Sequence, residues 1–264
     1  MEVTRLFVHP VKSLGGIGVN AFAIDRFGPV WDRRWLVVDR QGQFITQRQH
    51  ARMALVRAAL DKDQVTLNAP QRNPLVFSAT DFAGGDPVKV QVWRDQCDAV
   101  TGPAHFDQWL SDFLGVDCRL VFMPESSRRP VNTDYAQAGE TVGFADGFPL
   151  LLAAEESLRD LNSRMSITIG MERFRPNLVV AGSAAFAEDG WKRIRVGTME
   201  FRVAKPCSRC AIPTIDPATA QKQPEVFKTL KAFRQRDGEV YFGQNLLPVG
   251  AGSVRVGDRV VILE

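Results

Sequence analysis

The chain is short of the residues from which disulfide scaffolds and metal clusters are built: four cysteines and three histidines among 264 residues. That count excludes a disulfide-dense secreted framework, and the histidines (His9, His50, His105) are scattered rather than paired with a second Cys-x-x-Cys. No apolar run approaches the roughly 18 residues a membrane helix requires, and the N-terminus lacks the apolar region of a secretion signal. No block of five or more Lys/Arg exists and the net charge is only +3, which leaves nothing to favour nucleic acid. No G-x-G-x-x-G follows a strand and no P-loop is present, so flavin, NAD and nucleotide fingerprints are missing. The expectation is a cytoplasmic protein with neither nucleic acid nor membrane as partner, whose cysteines serve as ligands or reactive groups.

What is present is a globular composition, 45% hydrophobic and 24% charged, in a chain long enough for two domains. Residues 3–8 alternate as a strand and run into Lys12-Ser13-Leu14-Gly15-Gly16, where glycines, a lysine and a hydroxyl suit a phosphate but equally a surface turn. Strands follow at 19–24 and 34–39, then a hairpin turn at 39–43. Arg33, Arg34 and Arg48 cluster there, either as a solvated basic edge or facing an anion. Short strands at 64–67, 75–78 and 88–93 make this part β-rich. Phe106, Trp109, Leu110, Phe113 and Leu114 form a helical apolar stripe closed by Gly115. A strand at 118–123 and an exposed connection mark the expected boundary, dividing the chain into 1–122 and 123–264.

The second part reads as strand 150–153, helix 155–165, strands at 178–181, 193–196 and 199–203, helix 224–234, and strands at 240–245 and 253–263. Arg175 and Asn177, two apart on what reads as extended chain, offer a guanidinium fork and an amide on one side. The strand from Met199 delivers Pro206-Cys207-Ser208-Arg209-Cys210, and Pro206, lacking an N–H, is expected to stop ladder pairing. Lys205 and Arg209 flank the thiols with positive charge that favours thiolate. Four readings stand: half a zinc site, a thioredoxin-like pair (disfavoured by Pro213 and Pro217), two half-buried loop cysteines, or one thiolate on a cofactor-borne metal.

The order K-S (12–13), D-R-R-W (32–35), F-R-P-N (174–177), P-C-S-R-C (206–210), F-G-Q (242–244) and V-G-D (256–258) resembles the MOSC-domain proteins that carry a MOSC N-terminal β-barrel domain. It is similar to the amidoxime-reducing components, mitochondrial and bacterial, and the resemblance covers almost the whole chain. The resemblance implies a mainly β fold with a few helices, α+β, with a β-rich N-terminal domain before a MOSC β-barrel domain. It implies a molybdenum cofactor (molybdenum on molybdopterin), with Cys210 as the metal's protein thiolate and as a catalytic residue. Ser208, Arg209, Arg175, Asn177, Lys12, Ser13 and Arg33 would contact the pterin or phosphate. Asp146 stands where an acid could deliver a proton, although a plain turn aspartate fits the residues as well.

The activity implied is reduction of small N-hydroxylated substrates. Electrons would come from a separate donor protein, a flavin or iron–sulfur reductase, since the chain ends after the last strand without a ferredoxin domain. A cofactor or sulfur carrier without turnover is the rival, because MOSC domains also end the pyridoxal-phosphate enzyme that sulfurates the cofactor. Pyridoxal phosphate is thus a family-level association only. Gly147 and Phe148, in place of two small hydroxyl residues, and Asn245, in place of a tyrosine, depart from the family pattern.

Overall fold

A computed structural model describes all 264 residues. The fold is mainly β with three α-helices. Its largest sheet orders the strands Val260–Ile262, Arg193–Val196, Met199–Ser208, Glu239–Val249, Leu150–Ala154, Leu178–Ala181, Glu2–Val8 and Ile17–Val19. All neighbours on this path are antiparallel except Leu150–Ala154 with Leu178–Ala181. Residues of these two strands alternate between two cores: Leu152, Leu178 and Val180 pack with Phe201 and Leu246 on one face. Ala153 and Val179 join Phe174, Leu158, Leu230 and Phe242 on the other. A sheet covered on both faces selects continuous apolar strands, which is why L-L-L-A-A is buried throughout.

The division expected at 122/123 does not coincide with a break in this sheet. Glu2–Val8 pairs with Leu178–Ala181, and Ala21–Asp25 pairs with Gly252–Arg255, so the first residues are built into the C-terminal half. Residues 35–122, joined by Val11 and Leu14, form a second core around fully buried Trp35, whose ring lies 5.1 Å from Phe122 and 5.4 Å from Phe77. The helix Ala104–Leu114 seals it with Phe106, Leu110, Phe113 and Leu114, and Gly115 caps the helix with φ 73°. Trp109 lies at the edge of this core and donates to Asn73 O at 2.8 Å.

Several expectations needed correction. The strand Asp95–Thr101 was not foreseen, because its polar residues hide the period. The last stretch is two strands in different sheets, Gly252–Arg255 and Val260–Ile262, broken where Gly257 takes φ 88°. The helix from Glu155 stops at Asn162. Pro206 does not end its strand: Met199–Ser208 stays paired with Glu239–Val249, with Pro206 opposite Gln244 and Ser208 opposite Tyr241.

The register shift between Pro206 and Ser208 absorbs the proline. Two steps on the cysteine strand there match three on its partner, a bulge at Phe242-Gly243. Gly243 supplies φ 78°, and a Cβ on it would stand 2.6 Å from Leu152 O. That accounts for the glycine of F-G-Q: the bulge needs a residue with positive φ and no Cβ at this point. Gly243→Ala is expected to lower stability by roughly 1–3 kcal/mol, measured by urea unfolding; an unchanged midpoint would show that the bulge does not need glycine.

Candidate functional site

Six loops converge where the end of the cysteine strand meets the N-terminal half. All nine residues singled out in the sequence (Lys12, Ser13, Arg33, Asp146, Arg175, Asn177, Ser208, Arg209 and Cys210) line one cleft there, enclosing about 770 Å³ including its open mouth. Three sit in left-handed backbone: Ser13 at φ 66°, Arg33 at φ 48° and Arg175 at φ 57°. Arg175 is therefore not on extended chain as expected; it ends the short 3₁₀ turn Met171–Phe174. Non-glycine residues in this region are sterically disfavoured, and their gathering at one cleft is characteristic of functional sites.

Arg33 is the tie. Its Nη1 donates to Asp32 Oδ2 and to Asn177 Oδ1 (3.0 Å), and its Nη2 to Arg175 O (3.0 Å). Fully buried Asn177 is largely committed to this frame, since its Nδ2 also donates to Phe7 O and its Oδ1 accepts from Leu151 N–H. Beneath them Asp32 accepts the His9 backbone N–H at 2.7 Å. Burial opposes the Asp32 charge, but Arg33 and His9 prevail and hold its carboxyl below the usual range. His9, which sequence reading left unassigned, is pushed down to about 3 by burial and by the charges of Arg33 and Arg175, so it remains neutral.

The other cations retain unspent donors. Arg175 Nη1 donates to Leu14 O, while its buried Nη2 has no partner. Arg209 donates from Nη1 to Cys207 Sγ (3.0 Å) and from Nη2 to Phe174 O (2.8 Å), and its buried Nε has none. Lys12 is buried and bonds Asp146 at 2.6 Å; burial is the main force bringing its ammonium down to about 8, against the pull of Asp146. Asp146 itself faces the open cleft with 68% of its side chain exposed. Crowding by protein atoms opposes its ionisation, but Lys12 and the Trp93 indole N–H (3.0 Å) hold its carboxyl well below the usual range.

An aspartate so held keeps no proton near neutrality, and in this geometry it serves as the counter-ion of Lys12. Lys205 lies over the Tyr135 ring at 4.9 Å, so Arg209 is the cation that contacts a thiol. Cys207 and Cys210 are free and half-buried. Nowhere do three or more His, Cys, Asp or Glu gather as metal ligands. A metal on Cys210 must therefore arrive with most of its ligands.

Buried guanidinium nitrogens without partners, a buried lysine and a thiol lining the same cleft fit an anionic group that carries its own metal ligands. Residues 1–117 match the MOSC N-terminal beta barrel domain and residues 139–261 match the MOSC domain. Mitochondrial amidoxime-reducing component 1 of Mus musculus is 32% identical over 99% of this chain and 82% of its own length. That of Danio rerio is 34% identical over 98% and 83%. The chain belongs to this family of MOSC-domain proteins. Molybdenum cofactor sulfurase of Oryza sativa subsp. japonica is 27% identical over 92% of this chain, which spans 32% of that protein.

In this MOSC protein the departures Gly147, Phe148 and Asn245 also line the cleft, along with Thr46 and Arg48. Sequence reading missed Trp93, whose place in a hairpin turn carries no periodic signal. Because the free Lys12 amine titrates near 8, well below its ordinary 10.5, an anion entering the cleft must bring a proton back to it at higher pH. Affinity for sulfate, whose charge is constant over this range, should be flat below pH 8 and fall by up to about tenfold per pH unit above it. Isothermal titration against Lys12→Met, which should lose the dependence, is the check.

Proposed function

We propose that this protein binds a molybdenum cofactor in the cleft and reduces small N-hydroxylated compounds with electrons from a separate donor protein, a flavin or iron–sulfur reductase. The observation that carries this reading is the meeting of Cys210 with partnerless, buried nitrogens of Arg175 and Arg209 around one cleft. Cys210 supplies a soft thiolate to the metal. Lys12 and Ser13 hold the phosphate end, Arg33, Arg175 and Asn177 the pterin, and Ser208 and Arg209 contact the group from the cysteine side. The cofactor contributes the redox chemistry; overall, two electrons and two protons convert the N–OH group to N–H and water.

The chain's own part is orientation and charge. Four cations, Lys12, Arg33, Arg175 and Arg209, would offset the phosphate and dithiolene charge, and the turns of two of them, Arg33 and Arg175, are held by the Asp32–Arg33–Asn177 frame. Asp146, the residue proposed for catalytic proton delivery, faces the opening and would act as a relay that takes up a proton only in passing. The named relatives that reduce amidoximes favour turnover, whereas the likeness to a molybdenum cofactor sulfurase favours a carrier that holds cofactor or sulfur without reducing substrate.

Protein produced in a host that makes the cofactor is expected to contain stoichiometric molybdenum and pterin. It should also oxidise a reduced viologen dye when given benzamidoxime. Cys210→Ala should lose molybdenum and turnover yet keep its unfolding midpoint. Bound cofactor without turnover would select the carrier; zinc, or neither metal nor pterin, would sink both readings.

A further inference from the structure

Arg48 is the cleft cation that this reading leaves without a task. It makes no ion pair, and its one side-chain hydrogen bond is a long one, Nε to Thr46 Oγ1 at 3.4 Å. Yet it is not loose. Its guanidinium lies 4.3 Å from the centroid of Trp93 and 6.0 Å from that of Phe44, and the two rings meet edge to face at 5.2 Å. Stacking fixes the plane of a guanidinium while leaving its N–H fork unspent.

The support is itself held in an unfavourable backbone. Trp93 and Arg94 form the two-residue connection between Pro87–Val92 and Asp95–Thr101, where Val92 pairs with Asp95. Trp93 takes φ 57° there, a place where hairpins favour glycine or asparagine. Three contacts pin it: Nε1 to Asp146, the Phe44 ring, and a 2.8 Å bond from Gln91 Nε2 to its carbonyl. An exposed tryptophan kept in strained backbone and bonded to a cleft carboxylate is the mark of a residue that positions something.

What it positions is a receptor for an anion on the open side of the cleft. Lys12 and Ser13 are buried, whereas Arg48 is half-buried, Trp93 is 45% exposed and Asp146, its partner, faces the opening. Phe148 also lines the cleft and meets Tyr135 at 5.8 Å, which adds aromatic surface to the site. We propose that Arg48, backed by Trp93, binds an anionic substituent of the substrate, so that the preferred substrates are planar N-hydroxylated compounds carrying a carboxylate. This rests on the reductase reading above. The other source of the same chemistry is the cofactor's own phosphate.

The test compares benzamidoxime with 4-carboxybenzamidoxime in cofactor-loaded wild type, Arg48→Ala and Arg48→Lys, with a reduced dye as donor. Wild type should show the lower KM for the carboxylated compound. Arg48→Ala should reduce that preference roughly ten- to hundredfold, the scale of a charge-assisted pair. Arg48→Lys should restore part of it, since a point charge lacks the fork, and molybdenum content should match wild type in both. Loss of molybdenum from Arg48→Ala would assign the residue to the cofactor phosphate and overturn the proposal, as would an equal loss on both substrates. Titrating each compound into the protein and following tryptophan fluorescence, with Trp93→Phe as control, reads binding even if neither is turned over. Tighter binding of the carboxylated compound that disappears in Arg48→Ala upholds the Arg48 receptor even where turnover, and with it the reductase reading, fails; equal binding sinks it.

Discussion

The buried Asp32 carboxylate and the Arg33 guanidinium beside it are the interaction on which the rest of the site depends. Asp32 is 2% exposed and caps the end of the first strand through the His9 N–H. Arg33 then reaches across to Asn177 and to the carbonyl of Arg175. One charge pair thereby locks two turns more than 140 residues apart in sequence. A buried ion pair is worth little by itself, because desolvation offsets most of its attraction, but breaking one leaves an uncompensated charge. The value of this pair lies in geometry: it holds Arg33 and Arg175 in left-handed backbone that neither would adopt alone.

With that frame set, the walls of the cleft are held by contacts within the chain itself. Arg175 and Arg209 each keep a buried nitrogen without a partner, and Lys12 is buried to the point where its proton is loosely held. Such groups are costly to bury unpaired, and an anion satisfies them. Asp146 softens this as a replaceable counter-ion for Lys12, placed toward the opening and bonded to Trp93. The same carboxylate thus connects the buried cation to the aromatic support of Arg48.

Much of the site was legible in the residues, though not always for the right reason. Lys12, Ser13 and the cysteine loop stand out by residue type and spacing, and they line one cleft. Arg175 and Asn177 were paired by assuming extended chain; they meet at the cleft because a left-handed turn at Arg175 swings the guanidinium one way while Asn177 is buried as a tie. Pro206, with no N–H to donate, is by sequence a strand stop. Only the bulge opposite, at Gly243, shows how a paired strand accommodates it.

By itself the sequence determined the local elements whose period is strong: the Ala104–Leu114 helix, the apolar strands around Leu150 and Leu178, and the motifs that mark the family. These depend on neighbours three or four residues away, or two, and such spacing is written in the chain. Tertiary structure alone decided that the first strand lies beside Leu178–Ala181, that His9 is neutral, and that Arg48 rests on Trp93. Each of these is a contact between distant segments, fixed by burial and by where a guanidinium finds its carboxylate. No pattern within a single segment carries that information.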